Sequence, residues 1–251
     1  MDIEAFKQAL NRVQDGNQQS CGIGTLGEKT LHAVLKYCYE PREENHEIKI
    51  GGYVADIVGE NGIIEIQTRN FDKLRKKLSA FLEVCDVTIV YPVAAIKWLI
   101  WIDPQTGSVS SRRKSPRKGK SQDICNELYK IRTFLAHPRL HLKIVLLELE
   151  EYRYQNGWGN NGKRGSVRCD RIPISILGEV SIDRPEDYCS LLPDGLKIPF
   201  TTADFREAAA VPPKASQTTV NLLHRLGIIK RIGKQGRSFL YEITAERTDL
   251  S

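Results

Sequence analysis

Within Gly52–Arg69 (GYVADIVGENGIIEIQTR), the largely apolar runs on either side of a turn carry three side chains whose types could do chemistry: Asp56, Glu65 and Gln67. Two apolar runs, Tyr53–Val58 and Ile63–Thr68, flank a Gly-Glu-Asn-Gly turn, and Asn-Gly between such runs is a strong hairpin signal. A two-residue turn at Glu60-Asn61 sets Asp56 opposite Glu65, whereas a turn at Asn61-Gly62 sets it opposite Gln67. In both registers the three side chains share one face, because side chains alternate along a strand. Carboxylates facing each other across a ladder repel, and Ile57, Ile63, Ile64 and Ile66 make the surroundings apolar. A charge withdrawn from water needs a counter-charge, and two hard carboxylates fit a divalent cation, Mg²⁺ or Mn²⁺. The competing explanation is a structural ion pair inside the sheet, with Lys49 or Arg69 as the cation.

The flanking segments say what must position these groups. Residues 2–14 place Ile3, Phe6, Leu10 and Val13 at helical spacing behind a capping Asp2. GIGTLG at 22–27 matches a dinucleotide-binding pattern, but it follows a helix and a polar loop rather than a strand, so it is no cofactor loop. Thr25 and Glu28 instead make the capping box of a second helix, with Leu31, Val34, Leu35 and Cys38 on its apolar face and Pro41 at its end. His32 belongs to the surface of that helix. A short strand at His46–Ile50 leads into the hairpin. Asn70 caps a third helix with Phe71, Leu74, Leu78 and Phe81 inward and Lys73, Lys76 and Lys77 outward. The β-branched run Asp86–Pro92 then reads as a buried strand returning by crossover, followed by a separate strand at Ala94–Asp103.

The element order over residues 25–92, together with Asp56 and Glu65-Ile66-Gln67, resembles the PD-(D/E)XK nuclease superfamily. That resemblance implies an α/β fold in which helices flank a restriction-endonuclease-like mixed sheet. It also implies Asp56 and Glu65 as metal ligands, Gln67 in the place usually held by lysine, and Glu28 as the acid many members carry on the first helix. Gln67 can hydrogen-bond an attacking water but lends it no positive charge; Lys49 or Lys73 would have to supply it.

The rest of the chain points to nucleic acid. Arg112–Lys120 (RRKSPRKGK) is basic without an acid, and Arg112, Arg113 and Lys114 head it. By itself such a run is a solvated, mobile loop, but beside a phosphate-cleaving site it would grip DNA backbone. After Arg184-Pro185, read as the start of a linker, Thr201 caps a helix at Thr202–Ala209, a second helix runs over Ser216–Leu226, and strands follow at Ile228–Ile232 and Ser238–Ile243. Helix, turn, helix and basic hairpin make a small winged helix-turn-helix domain, with Lys214, Lys230, Arg231, Lys234 and Arg237 toward DNA. The expected division is therefore a nuclease-like domain over 1–180 and a DNA-binding domain over 187–251.

A net charge of +6 agrees with a polyanionic partner, and no apolar run reaches the ~18 residues of a membrane span. The six cysteines form no CxxC pair, which excludes the usual zinc spacings and reads as reduced thiols in a cytoplasmic protein. The expected activity is Mg²⁺-dependent cleavage of double-stranded or branched DNA, with a homodimer supplying two sites for paired cuts. The alternative is a non-catalytic DNA-binding protein or regulatory subunit on a degenerate nuclease fold.

Overall fold

The computed structural model describes residues 2–19, 30–157 and 166–244. It is a mixed α/β protein whose main sheet runs in the order β1-β2-β3-β4-β6-β7, with the short β5 paired to β4. The chain forms two compact units that alternate along the sequence: residues 1–60, 92–120 and 145–179 in the first, 61–91, 121–144 and 180–251 in the second.

The first unit begins with α1 (Ile3–Gln19), capped by Asp2, whose carboxylate accepts the Glu4 amide at 3.1 Å. Phe6, Ala9 and Val13 are buried on one face, while Ile3, expected inside, is 62% exposed. At the first turn of a helix the stripe has not yet met its partner. Helix α2 (Thr30–Tyr39) buries Leu31, Val34 and Leu35, as its spacing predicts. Strands β1 (His46–Ile50) and β2 (Tyr53–Gly59) pair antiparallel, with Ile50 opposite Tyr53. Gly51 and Gly52 join them at φ 56° and 83°, the two positive values that a two-residue turn of this twist demands.

Strand β4 (Val87–Ile102) passes straight through Pro92, where the sequence reads as two strands. Proline fixes φ at a value that extended backbone accepts and costs the ladder one donor, so it need not end a strand. The basic run is likewise not a loose loop. Within it β5 (Arg113–Lys114) pairs antiparallel with Trp98 and Leu99, and the Ser115 and Gly119 amides donate to the Lys97 and Ala94 carbonyls at 2.8 and 2.9 Å. A Cβ at Gly119 would lie 2.5 Å from the Ala94 oxygen, so only glycine lets this segment lie so close to β4. Strands β6 (Leu140–Tyr154) and β7 (Arg168–Ile182) complete the main sheet.

In the second unit β3 (Gly62–Ile66) and the start of β4 pair in parallel, Glu65 beside Ile89. Parallel neighbours need a crossover, and the chain supplies one with a 3₁₀ turn (Phe71–Leu74) running into α3 (Arg75–Phe81). Phe71, Leu74, Leu78 and Phe81 are buried as expected. Asn70 does not cap this helix through its side chain: it takes a left-handed conformation, and the Phe71 amide donates instead to the Glu127 carboxylate at 2.9 Å. Glu127 belongs to α4 (Cys125–Leu128), a short helix between two 3₁₀ turns that buries Ile124, Leu128 and Ile131.

The segment after Arg184, expected to be a linker, is a packed 3₁₀ helix (Pro185–Leu191). Tyr188 and Leu191 are buried, Tyr188 donates to the Leu135 carbonyl, and the Leu191 carbonyl accepts from Gln122. Next come α5 (Thr202–Ala209), α6 (Pro213–Arg225) and a hairpin of β8 (Ile229–Gln235) and β9 (Ser238–Ile243). Thr201 and Asp204 form the capping box of α5, each side chain accepting from the other's amide, at 3.3 and 2.8 Å. Phe200, stacked on Tyr241 at 5.9 Å, joins Phe205, Val220, Leu223 and Ile229 in a shared core.

Candidate functional site

Of the three polar residues that the hairpin carries, Asp56 lies in the first unit. Its neighbours Ala55 and Ile57 are fully buried, and alternation turns Asp56 to the opposite face. There the His32 ring from α2 approaches it, with Nε2 3.4 Å from an Asp56 carboxylate oxygen. His32 thus faces a carboxylate rather than open solvent as its helical position alone implied. The Asp56 side chain keeps 22% of its surface exposed, so this face is reachable from water.

Glu65 lies in the second unit and is 2% exposed. Its strand partners are apolar, Ile63 beside Val87 and Ile66 beside Val90. The Lys77 ammonium from α3 stands 2.6 Å from one carboxylate oxygen, with its own side chain 17% exposed. Expected to point outward, Lys77 instead delivers its charge inward, with Nζ 5.8 Å from the Phe81 ring centroid. Lys49 and Lys73, the two lysines considered for a cationic role, are exposed. Gln67 folds onto its own backbone, its amide donating to the Arg69 carbonyl at 2.5 Å. Glu28 lies outside the described residues.

Among the described residues, no group of three or more His, Cys, Asp and Glu side chains gathers around one point. Asp56 and Glu65 still suit Mg²⁺ in kind, because that ion takes one or two carboxylates and keeps water and substrate phosphate as its remaining ligands.

With this geometry in view, comparison with known proteins places the chain. The profile described as a domain of unknown function, DUF8091, matches residues 29–183. The chain belongs to the DUF8091 family. It is also similar to an uncharacterized protein of Treponema pallidum (strain Nichols), 26% identical over 220 residues that cover 87% of this chain and 86% of the relative. No solved structure matches. The DUF8091 match contains His32, Asp56, Glu65, Gln67 and Lys77 and ends just before the 3₁₀ helix at Pro185.

Beyond the DUF8091 segment, the predicted DNA-facing side chains are all exposed. On α6 this is Lys214; Gln217, Asn221 and Arg225 are exposed on the same helix, the two amides joined at 3.2 Å. On the hairpin Arg231 stacks on Phe239 at 4.1 Å, Lys234 reaches the same ring at 5.3 Å, and Arg237 is at the turn. Lys230 is tied to Glu242 at 2.9 Å. In the first unit Arg112 lies 4.6 Å over Trp98 and 3.6 Å from Glu150, Lys114 lies 5.5 Å from the same ring, and Arg113 is exposed. No helix among the described residues is long and apolar enough to cross a membrane.

Two constellations escaped the sequence reading. One is the Glu65–Lys77 pair, which joins a strand to a helix. The other is a buried carboxylate at Glu151 with Lys97, Arg153 and Arg171 around it. The alternation Leu147, Leu149, Glu151, which carries an acid onto the buried face of β6, was the available signal for the second.

Proposed function

We propose that the protein is a Mg²⁺- or Mn²⁺-dependent DNA endonuclease of the PD-(D/E)XK type, with a winged helix at its C-terminal end. The observation that carries the reading is the Glu65–Lys77 pair: a carboxylate withdrawn from water on a β-strand, with an ammonium 2.6 Å away. Lys77 supplies the positive charge that Gln67 lacks, from the helix between β3 and β4. Strand alternation read from the sequence puts Asp56 with Glu65 as ligands. A divalent cation held by those carboxylates would lower the pKa of a water and offset charge on the phosphoryl oxygens. Lys77 would orient the attacking water and stabilise the growing negative charge in a poorly hydrated site, where a fixed cation acts most strongly. The exposed cations of α6 and the β8–β9 hairpin would hold the duplex by its phosphates, and a homodimer would allow paired cuts. Free thiols at Cys38, Cys85, Cys125, Cys169 and Cys189 suit a cytoplasmic setting.

The second reading, a DNA-binding regulatory protein on a degenerate nuclease fold, is favoured by one observation. Gln67 spends its amide on the Arg69 carbonyl rather than on a site. Plasmid cleavage separates the two. Wild-type protein should nick supercoiled DNA with Mg²⁺ or Mn²⁺, and Asp56→Ala and Lys77→Met should each lose about 10²–10³-fold. Equal activity in wild type and Asp56→Ala overturns the nuclease assignment, and DNA binding without cleavage supports the regulatory reading.

A further inference from the structure

The charge balance around Glu151 differs from that of the Glu65–Lys77 pair. Glu151 is fully buried on β6. Arg153 donates to Oε1 from Nε at 2.7 Å, and Arg171 on β7 donates to Oε2 from Nε at 2.9 Å. Lys97 on β4 places its ammonium 3.7 Å from Oε1. Among the described residues, three cations therefore face one carboxylate on this side of the sheet, and two positive charges are left over. Their side chains are mostly withdrawn from water, at 16% exposure for Lys97, 25% for Arg171 and 31% for Arg153.

The nearby groups do not remove this excess. Arg153 also donates to the Ser166 hydroxyl at 3.1 Å, which holds the guanidinium in place without neutralising it. Glu148 and Glu150 alternate away from Glu151 along β6, and Asp170 alternates away from Arg171 along β7, so these carboxylates belong to the other face of the sheet. The Lys97 ammonium is pushed to a lower pKa, chiefly by burial, with Arg171, Arg153 and Arg117 adding repulsion against the pull of Glu151. A purely structural salt bridge needs one cation for one anion. Gathering three in a partly desolvated place costs free energy unless an anion completes the set.

We infer that Lys97, Arg153 and Arg171, held in place by Glu151, form a binding site for a phosphate group. Arg171 gives Glu151 Nε alone and keeps its two terminal nitrogens for phosphate oxygens, whereas Arg153 spends Nε and one terminal nitrogen on Glu151 and, like the lysine, adds mainly charge. This inference is independent of the nuclease reading, since it uses none of the same side chains.

Calorimetric titration of the full chain with inorganic phosphate at low ionic strength tests it. Wild-type protein should bind, and Lys97→Met and Arg171→Gln, each of which leaves Glu151 with cationic partners, should bind about tenfold more weakly or worse while keeping the wild-type circular dichroism. Glu151→Gln, where it folds, should bind more tightly, because it removes the negative charge that competes with the ligand. No binding by wild type, or binding unchanged in both cation variants, overturns the proposal. Duplex oligonucleotides with and without a 5′-phosphate identify the source: a preference of about tenfold for the phosphorylated end, lost in Lys97→Met, assigns the phosphate to nucleic acid. Equal affinity for both duplexes, with inorganic phosphate still bound, assigns a small free phosphate compound.

Discussion

Glu65 and Glu151 are both glutamates on β-strands, and both are almost wholly removed from water, at 2% and 0% exposure. They differ in company. Glu65 meets the Lys77 ammonium from a helix, whereas Glu151 meets an ammonium and two guanidiniums from three strands. The Glu65–Lys77 pair joins one anion to one cation, whereas around Glu151 three cations meet one carboxylate. A buried acid thus says little about function until its counter-charges are counted.

Removing each carboxylate breaks this comparison most directly. Glu151→Ala strands three cations in a dry place and should cost about 3–5 kcal/mol of stability in urea denaturation. Glu65→Ala leaves Lys77, whose stem can carry its charge toward water, and should cost about 1–2 kcal/mol. Added phosphate should restore part of the lost stability to Glu151→Ala and none to Glu65→Ala. Equal losses, or equal response to phosphate, would show that the two settings do not differ in kind.

A third buried acid sharpens the point with a smaller effect. Glu40, 6% exposed at the end of α2, accepts from Arg42 through Nε, NH2 and the backbone amide. Those bonds hold its pKa at about 2, against an ordinary 4.5. Its folded value is depressed, so its contribution is present above the unfolded value and is lost as pH falls from 4.5 toward about 2. Melting temperatures of Glu40→Gln should therefore fall less steeply than wild type across that window. Glu151 shifts in the same direction for a mixed reason: burial pushes it up, and Arg171, Arg153 and Lys97 more than offset that.

Local patterns were readable in the sequence because local physics decides them. The β1 span, the buried stripes of α2 and α3, and the Thr201 cap of α5 follow from alternation, helical period and capping chemistry. The Asn-Gly signal located the next turn to within one residue, at Glu60-Asn61 or Asn61-Gly62, and the strand ends at Gly59 and Gly62 place it at the first. What escaped depended on residues distant in sequence. Glu127 takes over the capping that Asn70 was expected to perform, from 56 positions away. Lys77 was assigned outward because its helical position is adjacent to the apolar stripe, and period alone does not show that a buried carboxylate waits on the neighbouring strand. Arg171 reaches Glu151 from 20 positions away, through a strand pairing that composition does not encode. Glu28, the acid expected beside Asp56 and Glu65, lies outside the described residues.

The proposal that Asp56 and Glu65 act as metal ligands is tested most directly by titration calorimetry with MnCl₂. Wild-type protein should bind Mn²⁺, and Asp56→Asn and Glu65→Gln should each abolish that binding while leaving phosphate binding through Lys97, Arg153 and Arg171 intact. Mn²⁺ binding that is absent from wild type, or unchanged in both variants, would contradict it.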